Sequence, residues 1–146
     1  MIDRGSLCTF LHNSYTARKS GVRSTGNASR GDIKAPPSVG PTNLYIEPGK
    51  ESGDPIMKRV TKGLYITKVM GMHTINPISG EFSIGAAGIL IENGERTRGI
   101  RGITIAGTLL DFLQHIEAVG SDLRWVASIA APTLLISGIQ VAGSGQ

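Results

Sequence analysis

Apolar residues alternate with polar or small ones along the middle of the chain, and this period of two is typical of β-strands. It predicts one strand over Leu64–Met70 and a long hairpin with arms at Phe82–Ile91 and Ile100–Ala106. Asn93-Gly94 lies between the two arms. This dipeptide favours a type I′ turn, because both central residues of that turn need positive φ.

Two further features of the predicted hairpin concern its backbone and its tip. Gly85 and Gly88 in the first arm predict a bulge or a close approach of another backbone segment. The residues around the turn are charged, and we expect them to project into solvent: Glu92, Glu95, Arg96 and Arg98.

The pattern changes to a helical period after the hairpin. Residues 108–119 predict a helix with an apolar face at Leu109, Phe112, Leu113 and Ile116. Thr108 and Asp111 form a pair similar to a capping box at its start. Gly120 is the expected C-terminal stop, because glycine readily adopts the left-handed conformation found there.

The first 63 residues predict shorter elements. Asn13 should cap a short helical turn that Gly21 stops, and residues 43–47 alternate like a strand. A second amphipathic helix is expected to start at Ser52 and to end at Gly63.

Residues 21–42 are rich in Gly, Ser, Asn and Pro and predict a long loop. Strand-like runs follow the predicted helix at 123–129, 133–136 and 139–142, and residues 143–146 predict a frayed end. Strands joined by short turns therefore outnumber helices. We predict an α+β fold, β-rich, with a mainly antiparallel sheet, a long hairpin and one or two covering helices.

Charge is distributed unevenly in this chain of 146 residues with a formal net charge of +4. Residues 1–62 contain ten Lys or Arg against five Asp or Glu, whereas residues 63–146 contain five against six. A solvated basic surface explains this better than nucleic-acid binding, because no aromatic residues interleave the basic ones. Cys8 is the single cysteine, and no apolar run is long enough for a membrane helix, so we expect a cytoplasmic location.

Few residues have spacing that indicates chemistry. His12, His73 and His115 lie in no zinc-binding H-E-x-x-H pattern, and Ser24 lies in no G-x-S-x-G elbow. We expect Cys8 to be a small buried residue and His115 to lie at the surface. His73 is expected to hydrogen-bond its loop, with a position near a substrate or partner as the alternative. A sheet edge could also bind an extended peptide by strand addition.

Residues 15–30 (YTARKSGVRSTGNASR) and 63–107 resemble the C-terminal part of the TldD/PmbA family, and the similarity continues through 116–125 and 131–143. The resemblance implies a cytoplasmic metallopeptidase that acts on unfolded or small peptides. Peptide-antibiotic maturation and antitoxin turnover are among its roles, and members are often described as modulators of DNA gyrase. The working form it implies is a heterodimer of a TldD and a PmbA (TldE) subunit.

In this family the TldD subunit holds zinc with a helical H-E-x-x-x-H motif and a late cysteine in C-G-K-x-G-Q. This chain has no H-E-x-x-x-H, and residues 125–132 contain no cysteine. The resemblance therefore implies the non-catalytic PmbA subunit, with no metal in this chain and zinc in a TldD-like partner. It also implies that residues 1–146 form a single C-terminal domain without the family's N-terminal domain.

The expected partners are a TldD-like subunit and an extended peptide substrate, with neither a membrane nor nucleic acid. A possible peptide or partner surface follows from the family motifs: His73, Asn76, Arg18, Lys19, Ser24, Thr25 and Asn27. Two alternatives stay open, a stand-alone hydrolase that uses Cys8, His12 or His73, and a DNA- or gyrase-binding module. The missing ligands leave open whether this chain is itself an enzyme.

Overall fold

A computed structural model describes residues 1–143, so most of the predicted frayed end at 143–146 lies outside the described residues. The predicted α+β class with mainly antiparallel strands is confirmed. The elements in chain order are β1 (Ile2–Asp3), β2 (Ser6–Leu7), α1 (Ser14–Ser20), β3 (Ala28–Ser29), β4 (Ser38–Val39), β5 (Leu44–Tyr45), α2 (Gly53–Lys58), β6 (Lys62–Met70), a 3₁₀ turn (Met72–Thr74), β7 (Glu81–Glu92), β8 (Glu95–Thr108), α3 (Leu109–Gln114), β9 (Ile116–Val119), β10 (Arg124–Val126), β11 (Ile129–Ala131), β12 (Leu134–Ile136) and β13 (Gln140–Ala142).

The chain divides into two compact units. Unit 1 contains Met1–Ile46 and Arg124–Ala131, and unit 2 contains Glu47–Leu123 and Pro132–Gln146. Unit 2 contains a four-stranded sheet in the order β13-β8-β7-β6, and each neighbouring pair of these strands is antiparallel. Unit 1 contains a small mixed sheet in the order β10-β11-β5.

The predicted Asn93-Gly94 turn is confirmed, because its two residues have φ of 52° and 79°. The four charged residues of the tip, Glu92, Glu95, Arg96 and Arg98, are exposed as predicted, while the turn between them is hydrogen-bonded to another segment. The Asn93 N–H donates to the Thr61 carbonyl at 2.7 Å, and the Gly94 N–H donates to the Val60 carbonyl at 2.9 Å. The arms stay paired up to the turn, and the turn is bonded to the segment between α2 and β6.

The prediction of a bulge or a close backbone approach in the first arm is confirmed at Gly88. The pairing register of β7 with both neighbours shifts around this residue, which marks irregularities in the ladder. A Cβ at Gly88 would overlap the Tyr65 carbonyl oxygen, so only glycine allows β6 to approach this closely. On β6 the extra residue at the shift is Thr67, whose Oγ1 donates to the Ala87 carbonyl at 3.3 Å.

The core of unit 2 lies on one face of its sheet. Ala86, Ile100 and Ile103 are buried at its centre. Four partly buried aliphatic side chains pack around them: Leu64, Ile66, Leu90 and Ile105. This cluster joins β6, β7 and β8, so the alternation that predicts the strands also supplies the core.

The predicted helix over 108–119 is only half right. Thr108 caps α3 as predicted, since its Oγ1 accepts from the Asp111 N–H at 3.1 Å and donates to the Asp111 carboxylate at 2.8 Å. However, α3 ends at Gln114, and β9 pairs with β12 instead of continuing the helix. The apolar face of α3 is not buried in the described structure, because Leu109 is 53% exposed. Gly120 follows a strand and is not a helix stop.

The second predicted helix is shorter than expected. It starts after Ser52, as predicted, but its C-cap is Arg59, and Gly63 already belongs to β6. Ile56 is buried and anchors its apolar side.

Unit 1 confirms the predicted α1 and most of the loop that follows. Asn13 caps the helix by accepting from the Thr16 N–H at 2.8 Å, and Gly21 closes it with φ of 65°. Within residues 21–42 the structure forms one short antiparallel pair, β3 with β4. The strand predicted over 43–47 is reduced to β5, which pairs in parallel with β11.

Candidate binding surfaces

The loop after α1 folds back over the start of that helix, and three predicted site residues form it. The His12 carbonyl accepts from the N–H groups of Thr25 and Asn27, both at 3.2 Å, and from the Thr25 and Ser24 hydroxyls at 3.0 and 3.3 Å. Thr25 Oγ1 also accepts from the His12 N–H at 2.7 Å. Asn27 Nδ2 donates to the Gly40 carbonyl at 3.4 Å. These polar groups satisfy backbone groups of the loop, which is a structural role.

Arg18 and Lys19 differ from those three residues, because both are exposed in the last turn of α1. Cations there interact favourably with the negative end of the helix dipole. Lys19 Nζ lies 5.2 Å from the centroid of the exposed Tyr15 ring. The two side chains therefore contribute positive charge to the surface of unit 1.

His73 and Asn76 lie together in the loop between β6 and β7, in unit 2. Asn76 Oδ1 accepts from the N–H groups of Ile78 at 2.8 Å and Ser79 at 3.1 Å, which is an Asx turn. Its own N–H donates to the Glu81 carbonyl at 2.9 Å. Asn76 therefore shapes the loop, while His73 is exposed on the 3₁₀ turn.

The groups considered for a stand-alone hydrolase lie in different surroundings. The expectation that Cys8 is buried is wrong, because it is exposed and its thiol contacts the Ser6 carbonyl at 3.4 Å. His12 Nδ1 lies 3.3 Å from Thr16 Oγ1. His115 is exposed as predicted, with Nδ1 at 2.7 Å from the Asp111 carbonyl.

The outer edge of β6 is a feature that no motif indicated. Among residues 1–143, β6 is hydrogen-bonded to β7 alone. A groove of about 300 Å³ lies over the sheet face that contains the core, and it extends from the first half of β6 across β7 and β8 to β13. Its lining includes Lys62, Leu64, Leu90, Arg98, Ile103 and Val141. The alternation of the strand predicts its two faces, but it cannot predict which strand lies at an edge.

The chain is similar in sequence and in fold to proteins of one known family. The sequence-family model of the PmbA/TldA metallopeptidase C-terminal domain matches residues 1–143. The chain belongs to the PmbA/TldD metallopeptidase family. It is 35% identical over 143 residues to the metalloprotease PmbA of Escherichia coli O157:H7, which covers 98% of the chain and 29% of that relative.

Two crystal structures of the family have the same fold. One, from Thermotoga maritima MSB8 and described as a candidate modulator of a DNA gyrase, is 43% identical with a TM-score of 0.88, over 97% of this chain and 32% of that one. TldE from Thermococcus kodakarensis is 27% identical with a TM-score of 0.87, over 97% and 33% of the two chains. The chain thus spans about a third of the length of these relatives.

The family name implies a catalytic metal ion, which needs a set of side-chain donor atoms close together. A catalytic zinc site typically takes three protein ligands from His, Cys, Asp or Glu. Residues 1–143 contain no group of three such side chains that could hold a metal ion. The described residues therefore do not fit a catalytic metal of their own.

One further finding concerns membranes. In the described part of the chain, none of the helices has the length and apolar character needed to cross a bilayer.

Proposed function

We propose that this chain acts as the PmbA-type, non-catalytic part of a peptidase whose zinc is held by a TldD-like subunit. The expected substrates are unfolded or small peptides, including precursors of peptide antibiotics and antitoxins, and the expected compartment is the cytoplasm. The PmbA-named and TldE-named relatives support this assignment to one subunit type.

The segment that corresponds to the metal-binding cysteine of TldD carries the proposal. In this chain it folds as a short hairpin, in which β10 and β11 are joined around Ala127, with φ of 53°. Trp125 and Ala130 form a central pair of this hairpin. Neither a thiol nor an imidazole occurs in residues 125–132, so the segment cannot supply a thiolate ligand.

The contribution of this chain to peptide binding would come from the edge of β6. An extended peptide can add to such an edge through main-chain hydrogen bonds, while a neighbouring groove accepts alternate side chains. The irregularity at Thr67 interrupts the second half of the edge, which leaves Lys62–Ile66 as the regular part. The groove that extends over the sheet from Leu64 has Lys62 and Arg98 in its lining together with aliphatic side chains.

Measurements of bound zinc and of peptide cleavage together test this assignment. The purified chain, a TldD-like subunit and their mixture are analysed for zinc by mass spectrometry and for cleavage of an unfolded peptide. We expect zinc to be bound by the TldD-like subunit and not by this chain. We expect cleavage only in samples that contain the TldD-like subunit. Stoichiometric zinc in this chain, or cleavage by it alone, would contradict the proposal.

Strand addition is tested with a fluorescent extended peptide and two N-methylated versions of it, methylated at alternate amides in opposite phases. One phase should weaken binding to the mixture by tenfold or more, because it removes the N–H groups that face β6. The other phase should bind as well as the parent peptide. Equal binding by all three peptides would exclude strand addition.

A further inference from the structure

An open cavity of about 510 Å³ lies in unit 2, where β7 begins and β8 ends. The register pairs Glu81 with Thr108 across β7 and β8, and Ala106 with Gln140 across β8 and β13. These four residues line the cavity and share one face of the sheet, because side chains alternate along a strand and residues directly opposite each other point the same way. The core residue Ala86 lies on the other face.

The segment that follows β8 contributes two more side chains to the same cavity. Asp111 and His115 are one helical turn apart, so they lie on the same side of α3 and its C-cap. The neighbouring Phe112 packs edge-on against Phe82, with ring centroids 6.4 Å apart, and Phe82 belongs to the core face. This contact holds α3 at the end of the sheet, with Asp111 and His115 in the lining of the cavity.

Hydrogen bonds orient these groups and leave acceptor atoms available. Asp111 Oδ2 accepts from the Thr108 hydroxyl at 2.8 Å, and Glu81 Oε2 accepts from the Ser79 hydroxyl at 3.2 Å. His115 Nδ1 lies 2.7 Å from the Asp111 carbonyl, which can only accept, so a neutral ring carries its hydrogen on Nδ1 and presents Nε2 as an acceptor. The second oxygen of each carboxylate and this nitrogen therefore offer acceptors without donors.

The charge of the cavity is not balanced by its surroundings. Its lining contains neither lysine nor arginine. Within residues 1–143, Glu81 and Asp111 take no part in the ion pairs, which join other carboxylates to arginine. Glu81, Asp111 and His115 are all exposed, so a ligand can reach them from solvent. A ligand that complements this lining must carry positive charge and several N–H donors.

A metal ion and an organic cation differ in the geometry that they need. A metal ion requires ligand atoms that converge on one point, and in the described residues no group of three His, Cys, Asp or Glu side chains could hold one. A guanidinium or ammonium group directs its donors outwards in several directions and is carried on a chain that needs room. The volume of the cavity is within the range of about 300–1,000 Å³ that is typical of sites for organic ligands.

We infer that this cavity binds a basic group of the peptide substrate, which is either an arginine or lysine side chain or the terminal ammonium. The inference rests on the proposed function, since it specifies the class of peptide that the complex prefers. The cavity lies on the sheet face opposite the groove beside Leu64, so it would hold a different part of the peptide from the one in that groove.

The test compares three fluorescent peptides of the same length by anisotropy, with the mixture of this chain and a TldD-like subunit. The parent peptide contains several Arg residues. The second has citrulline at those positions, which keeps the shape and removes the charge, and the third has an acetylated amino terminus. One of the two changes should weaken binding by about tenfold or more, because charge-assisted hydrogen bonds are lost. The change that does so identifies the bound group, and equal binding of all three peptides would overturn the inference.

Variants of the cavity show whether the preference arises there. Glu81→Gln should reduce the preference for the charged peptide several-fold, and Glu81→Gln combined with Asp111→Asn should bring it to within about twofold of none. Glu81→Gln alone leaves the Thr108 cap of α3 unchanged, so its result does not depend on the stability of that helix. Glu117→Gln is the matched control, since Glu117 is exposed on β9 outside the cavity, and it should keep the full preference. A preference that persists in the combined variant would overturn the inference.

The outcomes separate this inference from the proposed function. If zinc and cleavage follow the TldD-like subunit as expected, but charged and neutral peptides bind equally, the cavity assignment alone is wrong. If the mixture neither binds nor cleaves any of the peptides, both proposals fail together.

Discussion

The β7–β8 hairpin and the segment from Thr108 to Val119 were both predicted from short, regular patterns, yet the structure follows only the first of them fully. The hairpin has its turn at Asn93-Gly94, and its arms extend beyond their predicted ends. The segment starts as the predicted helix and changes to a strand after one and a half turns.

The difference shows what a local pattern can determine. The Asn-Gly turn needs positive φ that its own two residues supply, and the partner strand follows within a few residues. The second half of the other segment is decided by β12, which lies about fifteen residues further along the chain and pairs with β9. A pairing over that distance can override helix propensity, which is worth less than one kcal/mol per residue for ordinary residues.

The largest expected effect concerns the turn of the hairpin. A Cβ on Gly94 would lie 2.8 Å from the Cα and carbonyl oxygen of Lys58, and Gly94 also has φ of 79°. Gly94→Ala should therefore lower the free energy of unfolding by about 3 kcal/mol or more. Gly102→Ala is the control, since Gly102 has φ of 70° with open space around it and should lose only about 1 kcal/mol. Equal losses in urea unfolding would show that the turn is not packed against Lys58.

The next effect concerns the start of α3. Thr108→Ala should cost about 1 kcal/mol, because the Asp111 N–H then loses its side-chain partner. Thr108→Ser keeps the hydroxyl and should retain most of the stability. If Ser and Ala are equally destabilising in thermal unfolding, the methyl group of Thr108 matters and the cap does not.

A smaller effect is expected at the tip of the hairpin. The Arg96 guanidinium lies 4.6 Å from the Tyr65 ring centroid, and its Nε is 3.3 Å from Met57 Sδ. Arg96→Ala should cost about 0.5–1 kcal/mol, mostly from this stacking, because its ion pair with Asp54 is exposed and 4.0 Å long. Arg101→Ala on the same strand should cost less than about 0.5 kcal/mol. A larger loss of stability at Arg101 than at Arg96 would contradict the packing of Arg96 against Tyr65 and Met57.

The smallest effect distinguishes strand from helix in the second region. Glu117 is exposed in β9, and Thr is a better strand former and a poorer helix former than Glu. Glu117→Thr should leave the protein unchanged or stabilise it by up to about 0.5 kcal/mol. In the strand, Leu135→Pro should speed amide exchange at Ala118, its partner in β9. A loss of stability of similar size in Glu117→Thr, together with the same exchange rate at Ala118 in the wild type and in Leu135→Pro, would indicate a continuous helix instead.

The fold could be predicted wherever neighbours in sequence are neighbours in space. The caps at Asn13 and Thr108, the Asn93-Gly94 turn and the strand alternation all belong to that class. The parallel pairing of β5 with β11 could not be predicted, because nothing near Leu44 indicates a partner so far along the chain.

The candidate surfaces show the same limit. The family motifs selected Ser24, Thr25 and Asn27, which the structure uses to close a loop around the His12 carbonyl. They did not select Trp125, because whether an apolar strand residue is covered depends on elements distant in sequence. The exposure of Trp125 therefore became visible only in the folded chain.

The pairing of β5 with β11 also sets an order of events during synthesis. Leu44 leaves the ribosome 85 residues before Ile129, its partner in the sheet. At typical elongation rates of about 5–20 residues per second, β5 waits roughly 4–17 seconds for that partner. The β7–β8 hairpin is complete before then, so unit 1 closes only after the central hairpin of unit 2 has been synthesised. In that interval Tyr45 is an exposed aromatic residue on an unpaired strand, which is the kind of segment that chaperones recognise.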